Sequence, residues 1–423
     1  MKAYRPRLQD APIKRRIEEL PAVCIDGAKA VGKTETARKL AASELALDNV
    51  ALRQLAAADP ARIATGKKPV LIDEWQRLPE IWDSVRRFVD ADTTPNQYLL
   101  TGSAYPAKAK IHSGAGRIVH VLMRPLSLQE RGLDTPTVSL GALLSEESAE
   151  VTGHTDIGFS DYAREIVKSG FPGIHPLSLA AARKQVEGYL ANALSRDFAD
   201  QGIQVRKPGV LRNWLRAYAA ATATTASYST VLAAATPGES NKPSANTTRA
   251  YRDALANLWL IDPVEPWVPL GTRFQYLGKT PKHFLVDPAL SAALLGFFED
   301  RPDGDGAVTA FHSPERTLLG SLFEALAAQS LKVYAEVNEA ELGHFRSSNG
   351  HHKVDFIVQK GRRVIAIEVK LAPSVESRDL THLKWFMAEF ASFDITPCLM
   401  TTGRDAYTRP DGIHVIPAVL LGA

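Results

Sequence analysis

Two groups of residues in this sequence have the types and spacing to do chemistry. The first lies in VCIDGAKAVGKT, residues 23–34. Val23, Cys24 and Ile25 read as a buried strand that stops at Gly27 and opens Gly27-x-x-x-x-Gly32-Lys33-Thr34. The next stretch, Glu35–Leu47, has apolar residues at Ala37, Leu40, Ala41 and Leu45 and reads as a helix. A glycine-bearing turn between strand and helix points backbone N–H groups at an anion, and the helix dipole adds to the attraction. Gly27, Ala28, Lys29, Ala30, Val31, Gly32, Lys33, Thr34 and Glu35 are therefore the expected cradle for ATP. In that cradle Lys33 reaches the β- and γ-phosphates and the Thr34 hydroxyl ligates Mg²⁺. About forty residues later, PVLIDE (69–74) places Asp73-Glu74 at the end of a buried strand. That is the edge of a parallel sheet where ligands bind. Asp73 is the expected Mg²⁺ ligand, and Glu74 the group that polarises the attacking water. A third strand, Gln97–Leu100, runs into Thr101-Gly102-Ser103; Ser103 is either a γ-phosphate sensor or part of a plain turn.

The second group is C-terminal. Val354–Val358 and Val364–Lys370 flank a turn at Gln359-Lys360-Gly361-Arg362 and read as a hairpin. Strand alternation puts Glu368 and Lys370 on one face, and Asp355 lies on the partner strand. Glu324 sits upstream in a helical pattern, Leu318–Leu331. Glu324, Asp355, Glu368 and Lys370 match the pattern of the PD-(D/E)xK nuclease superfamily. Carboxylates are hard ligands for Mg²⁺ or Mn²⁺, so Glu324, Asp355 and Glu368 are the expected metal set. The metal would activate water against a phosphodiester, and Lys370 would stabilise the developing charge. Two blander readings stand beside it: a solvated salt-bridged face, or a nuclease-like domain that binds without cutting. His344, His351 and His352, just before the hairpin, read as loop histidines near a basic surface, with a ligand role as the alternative.

The series GAKAVGKT, LIDEWQRLP, LLTGSA, HSGAGR and RPLSLQE resembles the AAA-type ATPase domain of a widespread bacterial and archaeal family. In that family a C-terminal region of unassigned function follows the ATPase. The similarity extends over almost the whole chain, including a glycine–aromatic–proline turn at Ser169–Gly173. It implies nucleotide chemistry rather than a pathway. An arginine finger is expected from Arg117, or secondarily Arg124, reaching a neighbouring subunit's nucleotide, which implies a homo-oligomer. A surface salt bridge is the alternative for either residue.

The elements that must position these groups follow from the rest of the chain. Length, 423 residues, suggests about three domains. Hydrophobic content of 45% and charge of 23% are those of a globular protein, and no apolar run approaches a membrane span. Cys24 and Cys398 are too few for a disulfide framework and point to a reducing cytoplasm. Net charge of +3 permits a nucleic-acid partner without requiring one. Between Val210 and Trp259 three helical patterns (Val210–Ala221, Tyr228–Ala235 and Ser244–Leu258) precede two strands, Trp259–Val264 and His283–Val286. That order is the order of a winged helix-turn-helix. Asn246, Thr247, Thr248, Arg249, Tyr251 and Arg252 are its expected contact groups for DNA or RNA, with Arg206, Lys207, Arg212 and Arg216 adding charge. The expected organisation is α/β throughout: an AAA-like P-loop parallel sheet (1–130), a helical connection (131–204), the winged helix (205–298) and a small PD-(D/E)xK-like α/β domain (299–423).

Overall fold

The computed structural model describes residues 4–105, 114–145, 149–201, 208–236, 244–269, 279–297, 313–347 and 349–423. They fall into two compact units. The first gathers Met1–Pro125, Asn192–Arg206 and Asn246–Ile261; the second gathers Leu126–Ala191, Lys207–Ala245 and Asp262–Ala423.

The first unit is built on a parallel sheet of β1 (Ala22–Asp26), β2 (Ser43–Ala46), β3 (Val70–Asp73), β4 (Tyr98–Gly102) and β5 (Val119–Leu122). The strand order is β2-β3-β4-β1-β5. β1, β3 and β4 are buried at every position, which their apolar runs dictate. The helix Glu80–Ala91 lays Ile81, Trp82, Val85 and Val89 into the core, where Trp82 packs on Trp75 with ring centroids 4.6 Å apart. The helix after the loop, expected to run to Leu47, spans only Lys33–Leu40. Its end is set by the sheet: Ala42 N–H donates to the Pro69 carbonyl, and Ser43–Ala46 pairs with Val70–Asp73 as an edge strand. Leu45 fits both the helical and the strand periods, so spacing alone could not separate them.

The second unit contains β6 (Val138–Ser139), β7 (Gly153–His154), β8 (Glu341–Arg346), β9 (Lys353–Lys360), β10 (Arg363–Val369), β11 (Asp394–Thr401), β12 (Asp405–Thr408), β13 (His414–Pro417) and β14 (Leu421–Gly422). Seven of them form one sheet in the order β7-β12-β13-β11-β10-β9-β8; β14 and β6 pair separately. β8, β9 and β10 form an antiparallel meander, and β10 then pairs in parallel with β11 through a crossover containing the helix Thr381–Glu389. One face of the sheet packs Val354, Ile357, Val364 and Leu399 against Leu383 and Phe386 of that helix. The segment after Pro125 is locked in by Arg131, whose guanidinium donates to the Glu165 carboxylate at 3.2 Å and to Gln329 Oε1 at 2.8 Å. Glu165 also meets His175 Nε2 at 2.9 Å.

The expected winged helix is not one module. The helices Pro208–Ala220 and Tyr228–Ala235 belong to the second unit, whereas nearly all of Ala245–Asn257 belongs to the first. Tyr251, expected at a nucleic-acid surface, is buried beside Phe198, with ring centroids 6.4 Å apart. Of the expected wing the structure keeps an antiparallel bridge between Val264 and Lys282 and a hydrogen bond from Asp262 N–H to the Phe284 carbonyl at 3.0 Å. Arg206 and Lys207 lie outside the described residues. Among the described residues no helix is long and apolar enough to cross a membrane.

Candidate functional site

The parallel register aligns the C-terminal ends of β1 and β4, pairing Asp26 with Gly102, and β3 ends beside them at Asp73. Three strand ends thus bring the glycine loop, the acidic pair and Ser103 to one sheet edge. The loop needs its first glycine: Gly27 has φ +143°, and a Cβ there would lie 2.2 Å from the Met123 carbonyl oxygen. Lys33 is buried and donates to the carbonyls of Gly27 and Ala28, both at 2.8 Å. Burial lowers its pKa to about 8, against the opposing pull of Glu74, Asp26 and Asp73.

Thr34 and Thr101 both donate to Asp73 Oδ1, at 2.7 and 2.5 Å. Glu74 sits at φ +56°, a left-handed conformation that costs a non-glycine residue about 1 kcal/mol or more and concentrates at functional sites. Its N–H donates to Thr101 Oγ1 at 3.1 Å. Its Oε2 accepts from Gln76 at 2.6 Å and from Ser103 at 3.0 Å, and Gln76 also donates to Ser103 Oγ. Lys29 at the loop tip is paired with Asp197. A cavity of about 280 Å³ opens beside this cluster, lined in part by Lys29, Gln76, Arg77, Ser103, Asp197 and Asp200.

These residues fit a nucleoside triphosphate with Mg²⁺: a buried ammonium on a glycine loop, and a hydroxyl already on an aspartate at a strand end. Lys33, Thr34, Asp73, Glu74 and Ser103 come together as the spacing implied. Arg117 does not join them; half-exposed, it pairs with Asp90 at 2.8 Å and donates to the Ala115 carbonyl. Glu35 is exposed and paired with Arg38. Sequence reasoning missed Gln76, for which the only signal was a polar residue two positions after the acid. It also missed the pairing of His120 Nδ1 with Asp26 Oδ2 at 2.5 Å, which raises the His120 pKa despite its partial burial.

The C-terminal cluster differs from expectation. Glu324 comes from the helix Ser313–Val337, Asp355 from β9 and Glu368 from β10, and all three are buried or nearly so. Between the first two sits an unanticipated cation: the Lys282 ammonium pairs with Glu324 and, at 3.0 Å, with Asp355 Oδ1. Lys353 approaches the same oxygen at 3.4 Å, and Val369 N–H donates to Asp355 Oδ2 at 3.1 Å. Burial would raise the Asp355 pKa, but Lys282 and Lys353 outweigh it and hold the carboxyl well below the usual range. Burial, then the Asp355 charge, pushes Glu324 up to about 7 and Glu368 well above the ordinary value. Both Glu368 oxygens are buried, and the carboxyl group lies beside Asp355.

The expected metal set of Glu324, Asp355 and Glu368 therefore does not fit a divalent ion as arranged here. Among the described residues, the one trio whose ligand atoms all lie within 4.8 Å of one another is Cys24, Asp26 and His120. Lys282 holds the space where a shared ion would have to reach the carboxylates. Lys370, expected to act on substrate, lies just past β10 and faces Asp379 at 3.9 Å. Lys282, which sequence reasoning missed, stands directly ahead of the expected strand His283–Val286, and nothing in the spacing singles it out.

Residues 19–132, which carry the parallel sheet, the glycine loop and the acidic pair at its strand ends, match the model of the AAA domain family. Residues 159–301 and 319–421 match two families described as domains of unknown function, DUF8612 and DUF4143. Among curated proteins the chain is similar to an uncharacterized protein of Mycobacterium bovis and one of Mycobacterium tuberculosis. Each is 25% identical over 353 residues, covering 80% of this chain and 70% of the relative. Among solved structures it is similar to the Walker-type ATPase PABY2304 of Pyrococcus abyssi. There the TM-score is 0.39 and the identity 14%, covering 68% of this chain and 94% of that one.

Proposed function

We propose that the chain binds ATP with Mg²⁺ at the loop Gly27–Thr34, hydrolyses it, and couples the cycle to a nucleic acid held elsewhere on the protein. The observation that carries the ATPase reading is the convergence of Lys33, Thr34, Asp73 and Glu74 at one sheet edge. In this reading Lys33 would turn from the loop carbonyls to the β- and γ-phosphates, and Thr34 and Asp73 would hold Mg²⁺. The ion supplies positive charge for the phosphate oxygens. Glu74 orients the attacking water and accepts its proton, while Gln76 and Ser103 fix the carboxylate. Phosphate release by the purified protein tests it. Lys33→Ala should lose ATP binding by roughly 10- to 150-fold, the worth of about 1.5–3 kcal/mol for hydrogen bonds to a charged group. ATP affinity equal to wild type in that variant would refute the site.

For the C-terminal region we propose a nuclease-like fold. What supports it is the order helix, β8, β9, β10, helix, β11, with Glu324 on the first helix, Asp355 on β9 and Glu368 on β10. For the partner we propose DNA or RNA, supported by the exposed Arg212, Arg216 and Arg249. Stimulation of ATP turnover by single- or double-stranded DNA or by RNA tests this, and indifference to all of them at low salt would refute it. A homo-oligomer in which Arg117 reaches a neighbour's nucleotide is read by mass in solution with and without ATP. A second reading, a C-terminal domain that binds without cutting, is favoured by the Lys282 ammonium among the carboxylates.

A further inference from the structure

We infer that Lys282 is a built-in cation that takes the place of a divalent metal in the C-terminal acidic cluster, leaving a nuclease-like domain that holds its ligand without cleaving it. The inference rests on the nuclease-like reading of that domain.

The position of Lys282 is fixed by backbone and by stem. Its N–H and carbonyl exchange hydrogen bonds with Val264 at 2.8 and 2.9 Å, an antiparallel bridge between these two segments. The side chain is buried, with its ammonium 5.2 Å from the centre of the Phe356 ring. From there it pairs with Glu324 on the long helix and Asp355 on β9, acids brought from sequence positions 42 and 73 residues away. A lysine held in this way does not swing aside as a surface lysine does. Its ammonium also does what a metal would do for these acids, placing positive charge between carboxylates that cannot otherwise share a buried site.

It cannot do what a metal does for catalysis. An ammonium has donors and no vacant coordination position, so it binds no water to deprotonate and no phosphate oxygen to polarise as a Lewis acid. A Mg²⁺ or Mn²⁺ ligated by Asp355 would need oxygens at about 2.1 Å in octahedral array, and the ammonium stands against the same Oδ1 at 3.0 Å. Lys353, at 3.4 Å, adds a second positive charge against any incoming ion. Glu368, the remaining carboxylate, is buried beside Asp355 and is the group a metal would recruit once the lysine is removed.

The test is Mn²⁺ binding to the full chain without nucleotide, read by electron paramagnetic resonance of free Mn²⁺, with thermal denaturation alongside. Wild type and Asp355→Asn should bind Mn²⁺ equally and show the same Tm response to it. Lys282→Ala should gain a site at least about tenfold tighter than any in wild type, lost again in K282A/D355N. Because K282A leaves buried carboxylates without their cation, K282A/E324Q is prepared as well, keeping Asp355 and Glu368 with one fewer buried charge. Mn²⁺ should raise the Tm of either variant and leave wild type unmoved. A wild-type Mn²⁺ site abolished by D355N would overturn the inference while supporting a nuclease-type ligand set. Folded K282A and K282A/E324Q proteins that gain no site would overturn the inference together with the nuclease-like reading beneath it.

Discussion

Replacing Glu74 by glutamine removes one function from the nucleotide site and leaves its geometry in place. The side chain keeps its length, and Oε2, which accepts from Gln76 at 2.6 Å and Ser103 at 3.0 Å, can be matched by the amide oxygen. On the proposed mechanism, what disappears is the base. General-base catalysis contributes about 10²–10⁴-fold, which is about 2.7–5.4 kcal/mol of barrier at 1.36 kcal/mol per decade. Thr34, Asp73 and Lys33 are untouched, so ATP affinity near neutral pH should stay within about threefold of wild type. A second consequence follows from charge. Burial lowers the Lys33 pKa to about 8, and Glu74 is the largest of the groups that resist this. Without that charge the Lys33 pKa falls further. Wild-type ATP affinity should decline as pH rises through about 8, and the variant's decline should begin at lower pH. Phosphate release at saturating Mg-ATP and equilibrium binding of a fluorescent ATP analogue across pH 6–9 measure both effects. Turnover within about threefold of wild type would refute the assignment of Glu74 as the base, whatever the binding profile.

Gln76→Ala removes one of the two donors that hold Glu74. The kcat should fall by about tenfold with KM nearly unchanged, because a hydrogen bond to a charged group is worth about 1.5–3 kcal/mol; a change confined to KM would contradict a positioning role. The buried pair of Arg131 and Glu165 makes an acid-stability prediction. Burial opposes ionisation of Glu165, but His175 and Arg131 prevail and lower its pKa from 4.5 to about 2. A folded-state pKa below the unfolded one stabilises the fold above about pH 4.5, and the contribution fades as pH falls towards 2. It amounts to about 3 kcal/mol at 1.36 kcal/mol per unit. Glu165→Gln should lower the guanidinium midpoint at pH 7 and lose less stability than wild type between pH 5 and 2.5; parallel curves for the two proteins would refute the assignment.

How much of this was legible in the sequence depends on how local each feature is. The strand–loop–helix around Gly27–Thr34 could be read because strand, turn and anion-binding N–H groups are contiguous. Asp73-Glu74 could be read because a buried strand announces its own end. The clamp of Gln76 and Ser103 on Glu74 needs β3 and β4 side by side, which spacing does not specify. β2 was hidden because Leu45 satisfies two periods at once. Three helices in a row suggested a winged helix, yet Tyr251 turns inward to Phe198, and no local pattern distinguishes that from outward display. Lys282 was invisible for the opposite reason. Its meaning comes from partners at positions 324 and 355, and a lone lysine before an apolar run has no signature.

The chain leaves one compact unit for the other five times. On the ribosome this sets a delay. The residues up to Pro125 include all five strands of the first sheet, but Asp197, the partner of Lys29 at the loop tip, and the helix Ala245–Asn257 are still to be made. At 5–20 residues per second the remainder, ending at Ile261, takes about 7–27 s to appear. For that time the nascent parallel sheet waits without two pieces of its own unit, and a truncation after residue 130 would leave it waiting permanently.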